Sequence, residues 1–179
     1  MTIACLGWGS LIWNPGGLLI QNKWFEDGPL LPIEFTRRSD NQRMTLIIDD
    51  AAKPVRVLWA LMTVDNLDEA IKSLKEREGT KEDAIHFIKS IDEPAKKTEI
   101  IIRKWLESKN LDAAVWTGLS YSKHTNNRRP SVIEVVNHLN GLEYNRRKVA
   151  EEYIRKAPRQ IDTDYRRQIE IELGWLPID

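Results

Sequence analysis

The chain has 179 residues, 41% of them hydrophobic, and its 27 lysines and arginines balance 27 aspartates and glutamates. This length predicts one domain, and such a chain buries a sizeable core without cross-links. A single cysteine, Cys5, excludes an intramolecular disulfide and a cysteine-based zinc site. The balanced charge argues against a nucleic-acid partner and favours a small-molecule substrate.

No basic run precedes the first apolar residues, and no apolar stretch reaches about 18 residues. We therefore expect no signal peptide, no membrane contact and a cytoplasmic protein. The histidines His86, His124 and His138 fall on separate predicted elements without metal-ligand spacing. Packing or surface roles are expected for them, with neither a metal nor a cofactor.

The first 63 residues predict strands and turns. A sheet of at least four strands is predicted from apolar or β-branched stretches at residues 3–6, 32–36, 44–48 and 55–62. The sequence Asn14-Pro15-Gly16-Gly17 is typical of a turn. Residues 111–119 are apolar with polar flanks, which predicts one further, buried strand.

From residue 65 the apolar period changes to 3.6, which predicts a helix capped by Asp65 or Asn66 and ended by Gly79. Thr80 and Asp83 resemble a capping box and predict a second helix through Ile88. Further helices are predicted around residues 100–106, from Pro130 to about His138, over 144–156 and over 165–173. Interleaved arginine and glutamate on the last helices predict solvated faces with i,i+4 ion pairs.

The segment Gly7-Trp8-Gly9-Ser10-Leu11 lies where the first predicted strand ends. Two glycines one residue apart allow a sharp turn whose backbone N–H groups can hold an anion or an oxyanion. The alternative is a glycine turn that packs Trp8 and Trp13 into the core. A third glycine is missing, so the segment is not a dinucleotide-binding motif.

Two further sites carry charged groups suited to chemistry. Glu78 ends the helix before Gly79, where the negative end of the helix dipole raises its affinity for a proton and suits an acid/base; the alternative is a solvated surface residue. Arg37 and Arg38 can hold a substrate carboxylate bidentately. Alternatively, these arginines are exposed strand residues that form ion pairs with Asp40 and Asp49.

Four segments, in order, resemble the γ-glutamylcyclotransferase-like family, and Gly7-Trp8-Gly9-Ser10-Leu11-Ile12-Trp13 is most similar to its glutathione-specific branch. The segments are residues 4–15, 34–43, 57–61 and 74–79, and the last resembles the stretch that carries the family's catalytic glutamate. Trp8 stands where the family has a tyrosine. In the family a strand follows the glutamate, whereas residues 80–88 here predict a helix.

The resemblance implies an α+β fold with a small closed or nearly closed β-barrel flanked by helices. We expect a γ-glutamylcyclotransferase-like domain over residues 1–120 and a helical C-terminal extension over 121–179 packed on the same domain. The implied reaction cleaves glutathione or another γ-glutamyl amide through attack by the substrate's own α-amine, which releases 5-oxoproline.

By the same resemblance, Glu78 is the base and then the acid, and the backbone N–H groups of residues 7–11 hold the oxyanion or the substrate carboxylate. Burial against Trp8, Trp13 and Trp59 is expected to raise the pKa of Glu78. The alternative is a non-catalytic small-molecule-binding or regulatory module on the same fold.

Overall fold

The computed structural model describes residues 1–178 and has an α+β fold, with five helices and two sheets in that range. The strands are β1 (Ile3–Gly7), β2 (Leu30–Arg38), β3 (Met44–Ile48), β4 (Pro54–Arg56), β5 (Leu58–Leu61), β6 (Ile85–Lys89) and β7 (Ala113–Thr117). The helices are α1 (Leu67–Glu78), α2 (Lys97–Lys109), α3 (Val132–Asn140), α4 (Tyr144–Lys156) and α5 (Asp164–Leu173).

The chain divides into two compact units built from interleaved segments. The first contains residues 1–7, 14–31 and 56–119, and the second contains residues 8–13, 32–55 and the chain from residue 120 onward. The division into a 1–120 domain and a 121–179 extension stays a prediction. Within residues 1–178, no helix combines the length and the apolar character needed to cross a membrane.

The first unit contains a four-stranded sheet in the order β5-β1-β7-β6. Strand β1 runs antiparallel to β5 and parallel to β7, and all five of its residues are buried. A strand with neighbours on both sides and no exposed face is expected to be apolar throughout, as the sequence Ile-Ala-Cys-Leu-Gly is. This central strand carries the chain to Gly7, where the glycine segment begins.

Helix α1 follows the predicted pattern at both ends. The Asn66 side chain accepts hydrogen bonds from the backbone N–H groups of Asp68 and Glu69 at 2.9 and 3.2 Å. Gly79 adopts a left-handed conformation, with φ 60°, and ends the helix directly after Glu78. The predicted cap and stop are confirmed, and they fix Glu78 as the last residue of the helix.

The helix predicted over residues 80–88 is wrong. The structure has a short 3₁₀ turn at Glu82–Ala84 and then strand β6. Four of the five residues 84–88 are apolar, a pattern that fits the period of a helix or of a strand. Antiparallel pairing with β7, which places Phe87 opposite Val115, decides for the strand. His86, predicted on that helix, therefore lies on the sheet.

The single sheet predicted from the first 63 residues is also wrong. Residues 55–62 form β4 and β5, which belong to different sheets, and β2 and β3 lie in the second one, ordered β3-β2-β4. The strands separate at Val57, whose N–H donates to the Pro29 carbonyl at 3.1 Å. Residues 55–62 are mostly apolar, and nothing in their sequence marks the point where the pairing partner changes.

The C-terminal helices match the sequence closely in position. Helix α4 has the predicted bounds, α5 ends at the predicted Gly174, and the ion pairs Arg155–Glu151 and Lys156–Glu152 have the predicted i,i+4 spacing. Arg166 differs: it is 1% exposed and donates to the carbonyls of Ala157, Pro158 and Ile161. It therefore belongs to the core of the second unit.

Buried acidic groups hold the second unit together. The Asp49 side chain is fully buried and accepts from Tyr121 Oη at 3.0 Å and Arg129 Nε at 2.7 Å. Glu34, 2% exposed on β2, accepts from the backbone N–H of Tyr165 at 3.2 Å, in the first turn of α5. The strands of this unit thereby contact the segments that follow residue 120.

We expect Asp49→Asn to lower the free energy of unfolding by about 1–3 kcal/mol, because an amide nitrogen cannot accept from the Arg129 guanidinium. Urea unfolding measures the change. The matched control is Asp50→Asn, an exposed neighbour with the same loss of charge, which should stay within about 0.5 kcal/mol. Equal unfolding midpoints for the two variants would contradict this account.

Candidate functional site

Glu78 is placed at the end of α1 with its side chain 18% exposed. Arg77 Nη1 donates to Glu78 Oε1 at 2.7 Å. Among residues 1–178 no other group donates to this carboxylate, so Oε2 is left for a ligand or water. A half-buried carboxylate with one unpartnered oxygen can accept a proton from a ligand that comes within hydrogen-bond reach.

Arg77 also contacts the turn that begins at Asn14. Its Nε and Nη2 donate to the Asn14 carbonyl at 3.2 and 2.6 Å. One guanidinium therefore joins the Asn14-Pro15-Gly16-Gly17 turn to the Glu78 carboxylate. This bridge holds the end of α1 in a fixed position within the first unit.

Burial raises the pKa of Glu78, and the charge and hydrogen bond of Arg77 oppose the rise without cancelling it. The predicted direction is confirmed, with burial as its main cause. The same carboxylate affects Cys5: burial first, and then the charge of Glu78, raise the pKa of the Cys5 thiol to about 12. The Glu78 carboxylate therefore lies on the side of β1 that carries the Cys5 side chain. Cys5 is two residues before Gly7.

The expected contribution of Trp59 to a pocket wall around Glu78 is wrong. Trp59 pairs with Leu6 across β1 and β5, and successive residues of a strand face opposite sides, so Trp59 faces away from Cys5. Its ring packs on Phe25 at 4.5 Å and on Trp105 of α2 at 5.3 Å. It belongs to an aromatic cluster on the other side of the sheet.

Trp8 and Trp13 lie in the second unit, in the turn that follows Gly7. Trp8 is 5% exposed and its indole N–H donates to the Leu46 carbonyl at 3.3 Å. The Ile12 N–H donates to the Gly9 carbonyl at 3.0 Å, which closes the turn. The packing role considered for this segment is thus observed for Trp8, and the oxyanion role of residues 7–11 stays a prediction.

Tyr153, which no sequence motif singles out, covers Gly9. A Cβ atom on Gly9 would lie 2.6 Å from Tyr153 Oη, so a larger residue fits here only if the Tyr153 hydroxyl moves. The Tyr153 ring is held edge-on against Trp13 at 5.5 Å, and the Arg43 guanidinium lies 5.1 Å from its centre. The phenol of Tyr153, on α4, therefore packs against the turn that contains Gly9.

Arg37 and Arg38 project from opposite faces of β2, as adjacent strand residues do. Neither forms the ion pairs considered for them, because Asp49 binds Arg129 and Asp40 binds His124. Arg38 instead donates through Nε to Gln42 Oε1 at 2.7 Å and lines a cavity. Their contact with a substrate stays a prediction.

The histidines do not share one environment. His86 packs edge-on against Trp116, whereas His124 and His138 line the same cavity as Arg38. They come from separate elements, so neither spacing nor periodicity predicts that they meet. Among residues 1–178, no three histidine, cysteine or acidic side chains are grouped closely enough to bind a metal.

We expect Gly9→Ala to lower the free energy of unfolding by about 1–3 kcal/mol, because the added methyl collides with the Tyr153 hydroxyl. Tyr153→Phe removes that atom, and the next ring atom lies at an ordinary 3.5 Å, so most of the loss should disappear in the double variant. Thermal unfolding of the wild type, the two single variants and the double variant gives the coupling free energy between positions 9 and 153. Gly17→Ala, with open space around it, is the control.

We expect Glu78→Gln to stabilise the protein at neutral pH. A raised folded-state pKa means that ionised Glu78 costs stability, and this cost grows as the pH rises through the folded pKa and vanishes below the ordinary value of 4.5. The difference from wild type, measured by urea unfolding, should therefore fall toward zero in acid. Exposed Glu76→Gln on the same helix should show no such pH-dependent gain.

Comparison with protein-family models, with curated proteins and with solved structures finds no match to this chain. No residue role is therefore transferred from a relative.

Proposed function

We propose that this protein is a γ-glutamylcyclotransferase-like enzyme that cleaves a γ-glutamyl amide and releases 5-oxoproline. The observation that carries the proposal is Glu78, a half-buried carboxylate with a raised pKa and one unpartnered oxygen. It stands at the position that the motif resemblance assigns to the catalytic glutamate. Glutathione and γ-glutamyl amines are the substrate class.

The reaction moves two protons from the substrate's α-nitrogen to the leaving nitrogen, and Glu78 carries each in turn. The α-ammonium first transfers a proton to Glu78, and the freed amine attacks the γ-carbonyl carbon to form the ring C–N bond. Glu78 returns this proton to the leaving nitrogen as the tetrahedral intermediate collapses and the original amide C–N bond breaks. The ring nitrogen then loses its second proton to Glu78, which passes it to the released amine, and the amine departs as an ammonium. No water is consumed and the net charge is unchanged, so one carboxyl suffices.

Burial and Arg77 have opposite effects on the pKa of Glu78, and this balance suits a group that acts first as a base and then as an acid. A carboxyl that is too acidic would not take a proton from an ammonium with an ordinary pKa of about 7.7–8.0. Burial raises the pKa of Glu78 toward that range, while Arg77 keeps the ionised form available as a base. Backbone N–H groups of residues 7–11 are assigned to the oxyanion.

The order of elements around Glu78 also supports the proposal. The resemblance implies that a strand follows the glutamate helix, and β6 follows α1 in this chain. Family membership and the small closed or nearly closed β-barrel form part of the same proposal. The helical segment after residue 120 is proposed as an extension of that domain.

A non-catalytic small-molecule-binding or regulatory module is the second candidate. The observation that favours it is the Arg77–Glu78 ion pair at 2.7 Å, since this pair stabilises the charged carboxylate and weakens it as a base. Such a module would bind γ-glutamyl compounds without releasing 5-oxoproline. The same assay separates the two candidates.

The experiment incubates the purified protein with glutathione and several γ-glutamyl amides and measures 5-oxoproline. We expect release from at least one substrate, and we expect Glu78→Gln to reduce the rate by about 10²–10⁴, the usual contribution of positioned proton transfer. Glu76→Gln, exposed and two residues away on the same helix, should keep the wild-type rate.

Normal turnover by a folded Glu78→Gln variant would reject the assignment of the base. Binding of a γ-glutamyl amide by the wild-type protein without any 5-oxoproline would reject the enzyme and favour the module.

A further inference from the structure

A cavity of about 160 Å³ lies within the second unit, beside the hairpin of β2 and β3. Arg38 and Met44 line it from the hairpin, and His138 lines it from α3. The segment before α3 contributes His124 and Arg128, and the carboxylate-bearing Glu134 of α3 also lines the cavity. Its volume is close to that of a cavity that holds a benzene-sized molecule, so a small ion fits and a nucleotide does not.

The positive charge of Arg38 in this cavity has no acidic partner. Both of its nitrogens that donate hydrogen bonds bind the neutral amide oxygen of Gln42, and no carboxylate among residues 1–178 forms a salt bridge with it. Arg128 differs, because it forms two hydrogen bonds with Glu134. Those bonds, with others from Ser131, lower the pKa of Glu134 to about 2, so that pair is neutral overall.

The two histidines leave ring nitrogens available to a ligand. His138 Nε2 donates to the Gln42 carbonyl at 2.7 Å, and His124 Nε2 binds Asp40 Oδ1 at 2.9 Å. Neither Nδ1 atom has a partner among residues 1–178. Burial lowers the pKa of His138, the hydrogen bond to the Gln42 carbonyl opposes this, and the charges of Arg38 and His124 lower it further.

Gln42 holds the Arg38 and His138 side chains in place. It has φ 71°, a left-handed conformation that is uncommon for a residue other than glycine, at the turn between β2 and β3. In this conformation its side-chain oxygen binds Arg38 and its backbone carbonyl binds His138. The strained turn therefore orients one guanidinium and one imidazole toward a common space.

We propose that this cavity is a binding site for a small doubly charged anion of phosphate or sulfate size, held by Arg38, His124 and His138. An oxyanion there would gain charge-assisted hydrogen bonds from the Arg38 guanidinium and from the His138 ring once that ring is protonated. Binding would therefore take up protons and strengthen as the pH falls. All the residues of this site belong to the second unit, and Glu78 is not among them.

The test titrates sulfate, whose charge is constant over the pH range used, into the full-length protein at constant ionic strength, with NMR detection of the histidine ring protons. We expect saturable shifts for His124 and His138, with tighter binding at pH 6 than at pH 8. His86 lies in the first unit and should not shift. Inorganic phosphate should compete with sulfate, and chloride should not.

Variants separate a built site from general surface charge. Arg38→Gln should weaken sulfate binding about tenfold or more, whereas Arg37→Gln, on the opposite face of the strand, should change it less than about twofold. His138→Gln is a second variant with an expected loss. Glu78→Gln should bind sulfate as the wild type does, even if the proposed reaction fails.

Three results would overturn the site. They are the absence of saturable shifts in the wild type, equal shifts of all three histidines, and an equal loss of affinity in the Arg37→Gln and Arg38→Gln variants.

Discussion

The candidate site depends on the contact between Arg77 and Glu78, in which two opposing effects set one proton affinity. Burial at the end of α1 disfavours the charged carboxylate, while the guanidinium 2.7 Å away favours it. Arg77 also donates through Nε and Nη2 to the Asn14 carbonyl. These bonds to a backbone group hold the guanidinium in place, so it cannot move freely with the carboxylate. A preorganised charge of this kind is stronger than a mobile one, because no reorganisation accompanies proton transfer.

The chain from residue 120 onward, which resembles no motif of the family, has a definite role within the second unit. It supplies Arg129 and Tyr121 to the buried Asp49, and it supplies Tyr153, whose hydroxyl lies above Gly9. Buried acidic groups are costly unless hydrogen bonds satisfy them, so Asp49 depends on these later residues. The packing of the glycine turn and of the second sheet is thus determined largely by residues distant in sequence.

The sequence predicts elements whose signals are local. Asn66, Gly79 and Gly174 mark helix ends through capping and left-handed φ, and the structure has each end there. Strand β6 and the break at Val57 depend on pairing partners far along the chain, so local periodicity misplaces them. The position and raised pKa of Glu78 follow from the helix end and burial, whereas the meeting of His124, His138 and Arg38 is purely tertiary and leaves no pattern to find.

Cys5 offers a practical consequence of its position in the central strand. Its thiol is fully buried on β1, the strand between β5 and β7, and with a pKa of about 12 almost none of it is thiolate at neutral pH. Alkylating reagents attack the thiolate, so the native protein should resist labelling until the four-stranded sheet opens. Because the chain has no other cysteine, the labelling rate reports the opening of this sheet alone, and it supplies a built-in probe of local unfolding that needs no substrate.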